Sequence, residues 1–135
     1  MDKRGFRTNL FKVLFQFEFC EPEQMQDKLS LFLQEEGIVR EQDYKSLEKK
    51  LTDIINHLPE LDAKIEAYSN GWKKERIGKA ELAILRLAIY EVLFDDIPDA
   101  VAINEAVELA KLYTDEKAPG FINGILGKVA REKEL

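Results

Sequence analysis

The chain has one cysteine, Cys20, and one histidine, His57. A lone cysteine excludes an intramolecular disulfide and a multi-cysteine zinc site, and it suits a reducing compartment. The plain expectation for Cys20 is a buried thiol. His57 has no serine or cysteine partner in a recognisable nucleophile elbow, so no catalytic triad can be assembled around it. Its position near a helix end suits a capping or surface role instead. Long apolar runs are also missing: none reaches the roughly 20 residues a membrane-spanning helix needs, and the N-terminus lacks the apolar segment of a secretory signal. No apolar–polar alternation is bracketed by turns, which removes strands and with them any glycine-rich phosphate loop between strand and helix. Metal-ligand spacing is absent as well. No catalytic residue, cofactor or metal is expected; the chain does not read as an enzyme, and membrane insertion is not expected.

With 135 residues and 45 % hydrophobic content, the chain is long enough to bury one good core and too apolar to stay disordered. Residues 1–135 read as a single domain of cytosolic type. The net charge of −6 argues against general affinity for polyanions. It is unevenly spread, however. Residues 1–12 carry Lys3, Arg4, Arg7 and Lys12 against Asp2 alone, while 21–36 and 58–66 are acidic. Such a chain can bind RNA at one end while the rest of its surface repels nonspecific contacts.

Helical periodicity runs nearly throughout. A first helix is predicted over Lys3–Phe19, with Phe6, Leu10, Val13, Leu14 and Phe17 on its apolar face. Pro22 suits the first turn of a second helix carrying Met25, Leu29, Phe32 and Leu33, which Gly37 ends as a left-handed cap. A third helix spans about Glu41–His57, and Pro59 restarts the chain into a fourth bearing Leu61, Ile65, Tyr68 and Trp72. The fifth, about Lys79–Phe94, is apolar almost all round and therefore central. The sixth places Ile103, Ala106, Val107 and Ala110 on its inner face, and Pro119 opens a seventh with Phe121, Ile122, Ile125, Leu126 and Val129. Seven helices joined by short loops make an all-α bundle.

Three features depart from plain bundle patterning. Lys3, Arg4 and Arg7 share one sector of the first helix, and Phe11 and Phe15 continue the Arg4 line. Cations neutralise phosphates, and an aromatic on the same stripe offers a face to a splayed base. On pattern alone, though, the rings are assigned to the core and the cations to solvent. Arg86 lies within the most apolar helix and must be paired there, with Glu105 on the sixth helix as a candidate. Gly124 sits inside a helix, where it costs about 1 kcal/mol against alanine. A close inter-helix contact is the default explanation for it, with RNA approach the alternative.

Several blocks resemble the NusB family in order and spacing. They are Arg7-Thr-Asn-Leu-Phe-Lys-Val-Leu-Phe-Gln-Phe-Glu18 at the start, then Leu61-Asp62, Trp72, Arg76 and Leu85-Arg-Leu-Ala-Ile-Tyr-Glu91 in the middle. Pro98, Val101-Ala-Ile-Asn-Glu-Ala-Val-Glu-Leu-Ala-Lys111 and Phe121-Ile-Asn-Gly-Ile-Leu126 complete the series. The Ile103–Lys111 block taken together with Phe121–Leu126 is the most specific.

The resemblance implies a seven-helix NusB-like fold of two packed, perpendicular subdomains, about 1–58 and 59–135. It implies an RNA-binding transcription antitermination factor that pairs with NusE, a small-subunit ribosomal protein, on single-stranded boxA RNA of nascent rRNA leaders, and that helps RNA polymerase resist termination. Carried over residue by residue, the RNA surface would comprise Lys3, Arg4, Arg7, Phe15, Phe121 and Asn123. The NusE-facing surface would comprise Glu75, Arg76 and Glu81. The competing expectation is a homodimer that buries the aromatic first helix. A NusB-like helical domain also begins certain rRNA cytosine methyltransferases, an activity not expected of a chain this short.

Overall fold

A computed structural model describes residues 1–69 and 76–135, and all structural statements concern those residues. Among them are seven α-helices and a 3-10 turn at Pro22–Gln24, with no strand. Helix α1 spans Lys3–Phe17, α2 Met25–Glu35, α3 Glu41–Asn56, α4 Leu58–Tyr68, α5 Lys79–Phe94, α6 Asp99–Tyr113 and α7 Ala118–Lys133. The chain is all-α, and none of these helices is long and apolar enough to cross a membrane. Its internal packing divides it into two compact units, Met1–Asn56 and His57–Leu135.

In the first unit, α1 begins because the Asp2 carboxylate accepts the Gly5 amide at 2.7 Å, satisfying one of the unpaired N–H groups of the first turn. Leu10, Val13, Leu14 and Phe17 recur at the three-and-four spacing of one helix face and are all buried. Pro22 opens a 3-10 turn rather than α2 itself, which starts three residues later. Gly37 has φ +70°, a left-handed conformation that a side chain disfavours, and it releases the chain after α2. Polar ties register the helices: Gln16 donates to Glu36 at 2.9 Å, Ser30 and Tyr44 share a hydroxyl hydrogen bond of 2.9 Å, and the terminal ammonium meets Asp43 at 3.3 Å.

In the second unit, α5 packs against α4, α6 and α7 and is buried from Leu82 to Val92. The inward stripe of α6 is Ala102, Ala106, Leu109 and Ala110. Ile103 and Val107, expected inside, are only half-buried. Three alanines let α6 approach its neighbours closely, so the small residues decide the helix phase here and the bulkier ones line the rim.

Arg86 is one of the few charged residues inside this core. Its Nε and Nη2 donate to the two carboxylate oxygens of Asp62 on α4, each at 2.9 Å. The carboxylate in this fork is thus on α4, whereas the sequence pattern points to Glu105 of α6. A planar guanidinium meeting a carboxylate by two parallel bonds is the geometry that best offsets desolvation. At the far end of the unit, the Lys133 ammonium donates to the Val92 carbonyl at 3.0 Å and to Asp99 at 2.7 Å. That contact places a cation on a carbonyl of the last turn of α5, where the helix dipole is negative. One residue earlier, Glu132 pairs with Lys64 of α4.

Candidate nucleic-acid interface

Lys3 and Arg4 are exposed in the first turn of α1, which contains no acidic residue. Arg7 differs: only 8 % of its surface is open. The reason lies in the register, since Arg7, Leu10, Phe11 and Leu14 stand at i, i+3, i+4 and i+7, so the core stripe passes through the arginine. Two of the three expected surface cations are therefore on the surface, and the third is a core residue with a partner.

The aromatic line on the same helix grades from core to solvent. Phe11 is 3 % exposed, Phe15 is half-buried, and Phe19 is 67 % exposed. Phe11 and Phe15 rings lie 6.2 Å apart and tilted, while Phe15 and Phe19 meet edge to face at 5.3 Å. Phe11 is thus core, as its spacing alone implies, whereas Phe15 presents part of its ring outward. Phe19 does not stand out in the sequence. The one signal for it is its place four residues after Phe15, weakened because it falls at the very end of the expected helix.

In the second unit an open cleft of about 530 Å³ brings together Arg76, Glu81 and Phe121, with Asp115 and Lys117 beside them. Two candidates assigned to a protein partner thus share a wall with one assigned to RNA. Glu75 lies outside the described residues. The mixture of two acids and two bases complements a polar protein surface better than a polyphosphate. Asp115 Oδ1 accepts the amides of Lys117 and Ala118 at 3.0 and 3.1 Å, which fixes the start of α7 and hence the direction of Phe121. Glu81 folds back over the start of α5: a Cβ added at Gly78 would come within 1.8 Å of its carboxylate. The missing side chain at Gly78 makes room for a negative charge where the helix dipole favours one.

Asn123 is exposed on α7, as is Gly124. The inter-helix contact expected of Gly124 is not there, because a Cβ built on it meets nothing within 4 Å. Gly120, one turn earlier, is equally open. Alanine at 124 should therefore raise stability by about 0.5–1 kcal/mol, read as a higher urea midpoint. A loss on this substitution would mean that the glycine serves the folded state in some other way.

The remaining candidates for chemistry have structural surroundings. His57 does not cap α4 through its side chain; its ring stacks on Phe94 at 3.9 Å, and Nδ1 lies 3.2 Å from Glu60. Cys20 is half-buried rather than enclosed, and its thiol donates to the Phe17 carbonyl at 3.5 Å. Burial pushes the thiol above its usual pKa, which disfavours the nucleophilic thiolate. Among the described residues no cluster of histidine, cysteine and carboxylates could hold a metal ion.

Comparison with known proteins agrees with this architecture over its whole length. The model of the NusB family matches residues 4–131. The transcription antitermination protein NusB of Agathobacter rectalis is 43 % identical, with 96 % of this chain and all of that protein covered. Among solved structures, T. maritima NusB superposes with a TM-score of 0.86 at 34 % identity, covering 98 % of this chain and 92 % of that one. A structure of the antitermination factors NusB and NusE in complex with double-stranded RNA matches with a TM-score of 0.79 at 26 % identity, covering 96 % of each chain. With a family model spanning nearly every residue and a fold shared with solved NusB structures, the chain belongs to the NusB family.

Proposed function

We propose that this chain is a cytoplasmic RNA-binding transcription antitermination factor that pairs with NusE and holds single-stranded boxA-type RNA of nascent rRNA leaders within the antitermination complex of RNA polymerase. The observation that carries the reading is the whole-length likeness to NusB proteins, including one solved together with NusE and RNA. The exposed Lys3 and Arg4 supply phosphate contacts, and the outward part of Phe15 supplies a stacking face. Phe121 and Asn123 add a second RNA contact on α7, and the mixed-charge cleft with Arg76 and Glu81 is the NusE side, to which Glu75 belongs by sequence. Arg7 supports α1 from within rather than touching phosphate directly. The single-stranded assignment rests on Phe15, because a ring can take a base only when that base is unstacked.

The test is a titration of fluorescent boxA RNA with and without NusE at physiological salt. NusE is expected to tighten binding markedly. Removing both Lys3 and Arg4 by alanine substitution should flatten the slope of log affinity against log salt by about 1.4, at about 0.7 per phosphate contact on a single strand. An unchanged affinity on adding NusE sinks the adapter mechanism. Tighter binding of a duplex of the same sequence sinks the single-stranded assignment, and a stable homodimer that neither RNA nor NusE dissociates favours self-association instead.

A further inference from the structure

We propose that Phe19 is a second base-stacking platform, taking the nucleotide next to the one on Phe15 and extending the RNA site past the C-terminal end of α1. This rests on the RNA reading above and adds a residue to it. The three phenylalanines 11, 15 and 19 form one line at four-residue spacing, and exposure rises along it from 3 % at Phe11 to 67 % at Phe19. The inner ring is fixed in the core, the middle ring leans on it, and the outer ring stands edge to face against the middle one at 5.3 Å. The Phe19 amide donates to the Gln16 carbonyl at 3.1 Å, which holds the turn that carries the ring. Other large apolar side chains are as open, Val39 and Leu112 among them, but Phe19 is the one in ring contact with Phe15, so the two together form an apolar patch rather than a lone exposed residue. The two rings touch at 79° to one another, so they offer differently turned faces, which suits bases splayed out of a stack rather than two bases still stacked together.

The charges around Phe19 define what kind of contact it makes. Glu18, Glu21 and Glu23 flank it in sequence and Lys28 is the one cation acting on the neighbouring Cys20, so acids outnumber bases there and phosphate is disfavoured. The ring faces of the bases carry no charge and stack on any aromatic. Contact at Phe19 is therefore through the base alone, whereas Lys3 and Arg4 act through the backbone of the RNA. The two kinds of contact leave different signatures in salt.

The experiment uses the full chain with NusE and single-stranded boxA RNA carrying 2-aminopurine at successive positions. Phe19→Ala is expected to weaken binding by roughly 5- to 150-fold, the range for losing one base stack, with no change in the salt slope. Phe19→Trp is expected to restore affinity, and one 2-aminopurine position should lose its quenching in Phe19→Ala alone. Circular dichroism should show an unchanged fold, since the ring is outside the core. If Phe15→Ala weakens binding and Phe19→Ala does not, the platform is excluded while the RNA surface stands. If neither substitution has an effect, the RNA reading falls and this inference falls with it. A change in NusE affinity without RNA, or in molecular mass by light scattering, would assign the ring to a protein contact and overturn the proposal.

Discussion

Replacing Asp62 with leucine is expected to lower folding stability by about 3–5 kcal/mol, because it leaves the Arg86 guanidinium buried without its fork of carboxylate oxygens. The two partners are not equivalent. The Arg86 side chain is 8 % exposed and that of Asp62 is 16 % exposed, so the carboxylate keeps better access to water when its partner is removed. Arginine also cannot shed its charge to escape desolvation. Arg86→Leu should therefore fall at the lower end, about 3 kcal/mol, and the double leucine variant should recover much of either loss by filling the space with apolar volume. For a chain of 135 residues the larger loss corresponds to a fall in Tm of roughly 11–18 °C. Urea unfolding of the four proteins gives the coupling directly. Single variants within about 1 kcal/mol of the parent would show that the pair is open to solvent in practice.

Phe17→Ala is the corresponding expectation for the first unit, with a cost of about 3–5 kcal/mol. The ring is 1 % exposed and lies 5.5 Å from that of Phe32, joining α1 to α2 through aromatic contact. Truncation leaves a cavity that neighbouring leucines cannot fill without moving the helices. Amide exchange should accelerate in α1–α3, and the urea midpoint should drop with little change in slope. Protection in α1–α3 equal to that of the parent would mean that Phe17 is packed too loosely to hold the unit. The substitution leaves Phe15 and Phe19 in place, so any weakening of RNA binding through it would act on the fold of α1 rather than on the stacking face.

Helix positions are legible in the sequence wherever a single local rule dominates. Helix α5 can be bounded at Lys79 and Phe94 because an all-round apolar run needs no partner to be recognised as buried. Gly37 announces its left-handed turn in the same way. What periodicity does not supply is the identity of partners across helices. Arg86 has to be paired, but Asp62 stands 24 positions earlier in the chain, and only the packing of α4 on α5 brings it near. The phase of α6 departs from expectation because bulk is a poor guide where close packing of alanines sets the contact. Arg7 groups with Lys3 and Arg4 by charge, while its register with Leu10, Phe11 and Leu14 points inward. Glycine at 124 suggests crowding, and the surrounding space is empty. Local chemistry thus locates the elements and singles out the basic–aromatic helix, and geometry sorts which of its residues can reach a ligand.

The ties made by Glu132 and Lys133 have a consequence for synthesis on the ribosome. Every internal contact of the first unit is available once residue 56 has been made. The second unit differs, because the lysine that closes the end of α5 and the acid that pairs with Lys64 are among its last residues. Between those two points translation takes roughly 4–15 s at ordinary elongation rates. Throughout that interval α5, the most apolar helix of the chain, lacks α7, one of the three helices that cover it. The nascent protein therefore passes through a state in which its first unit can be complete while the side of α5 that α7 covers is still bare, and that is the species a ribosome-bound chaperone would meet.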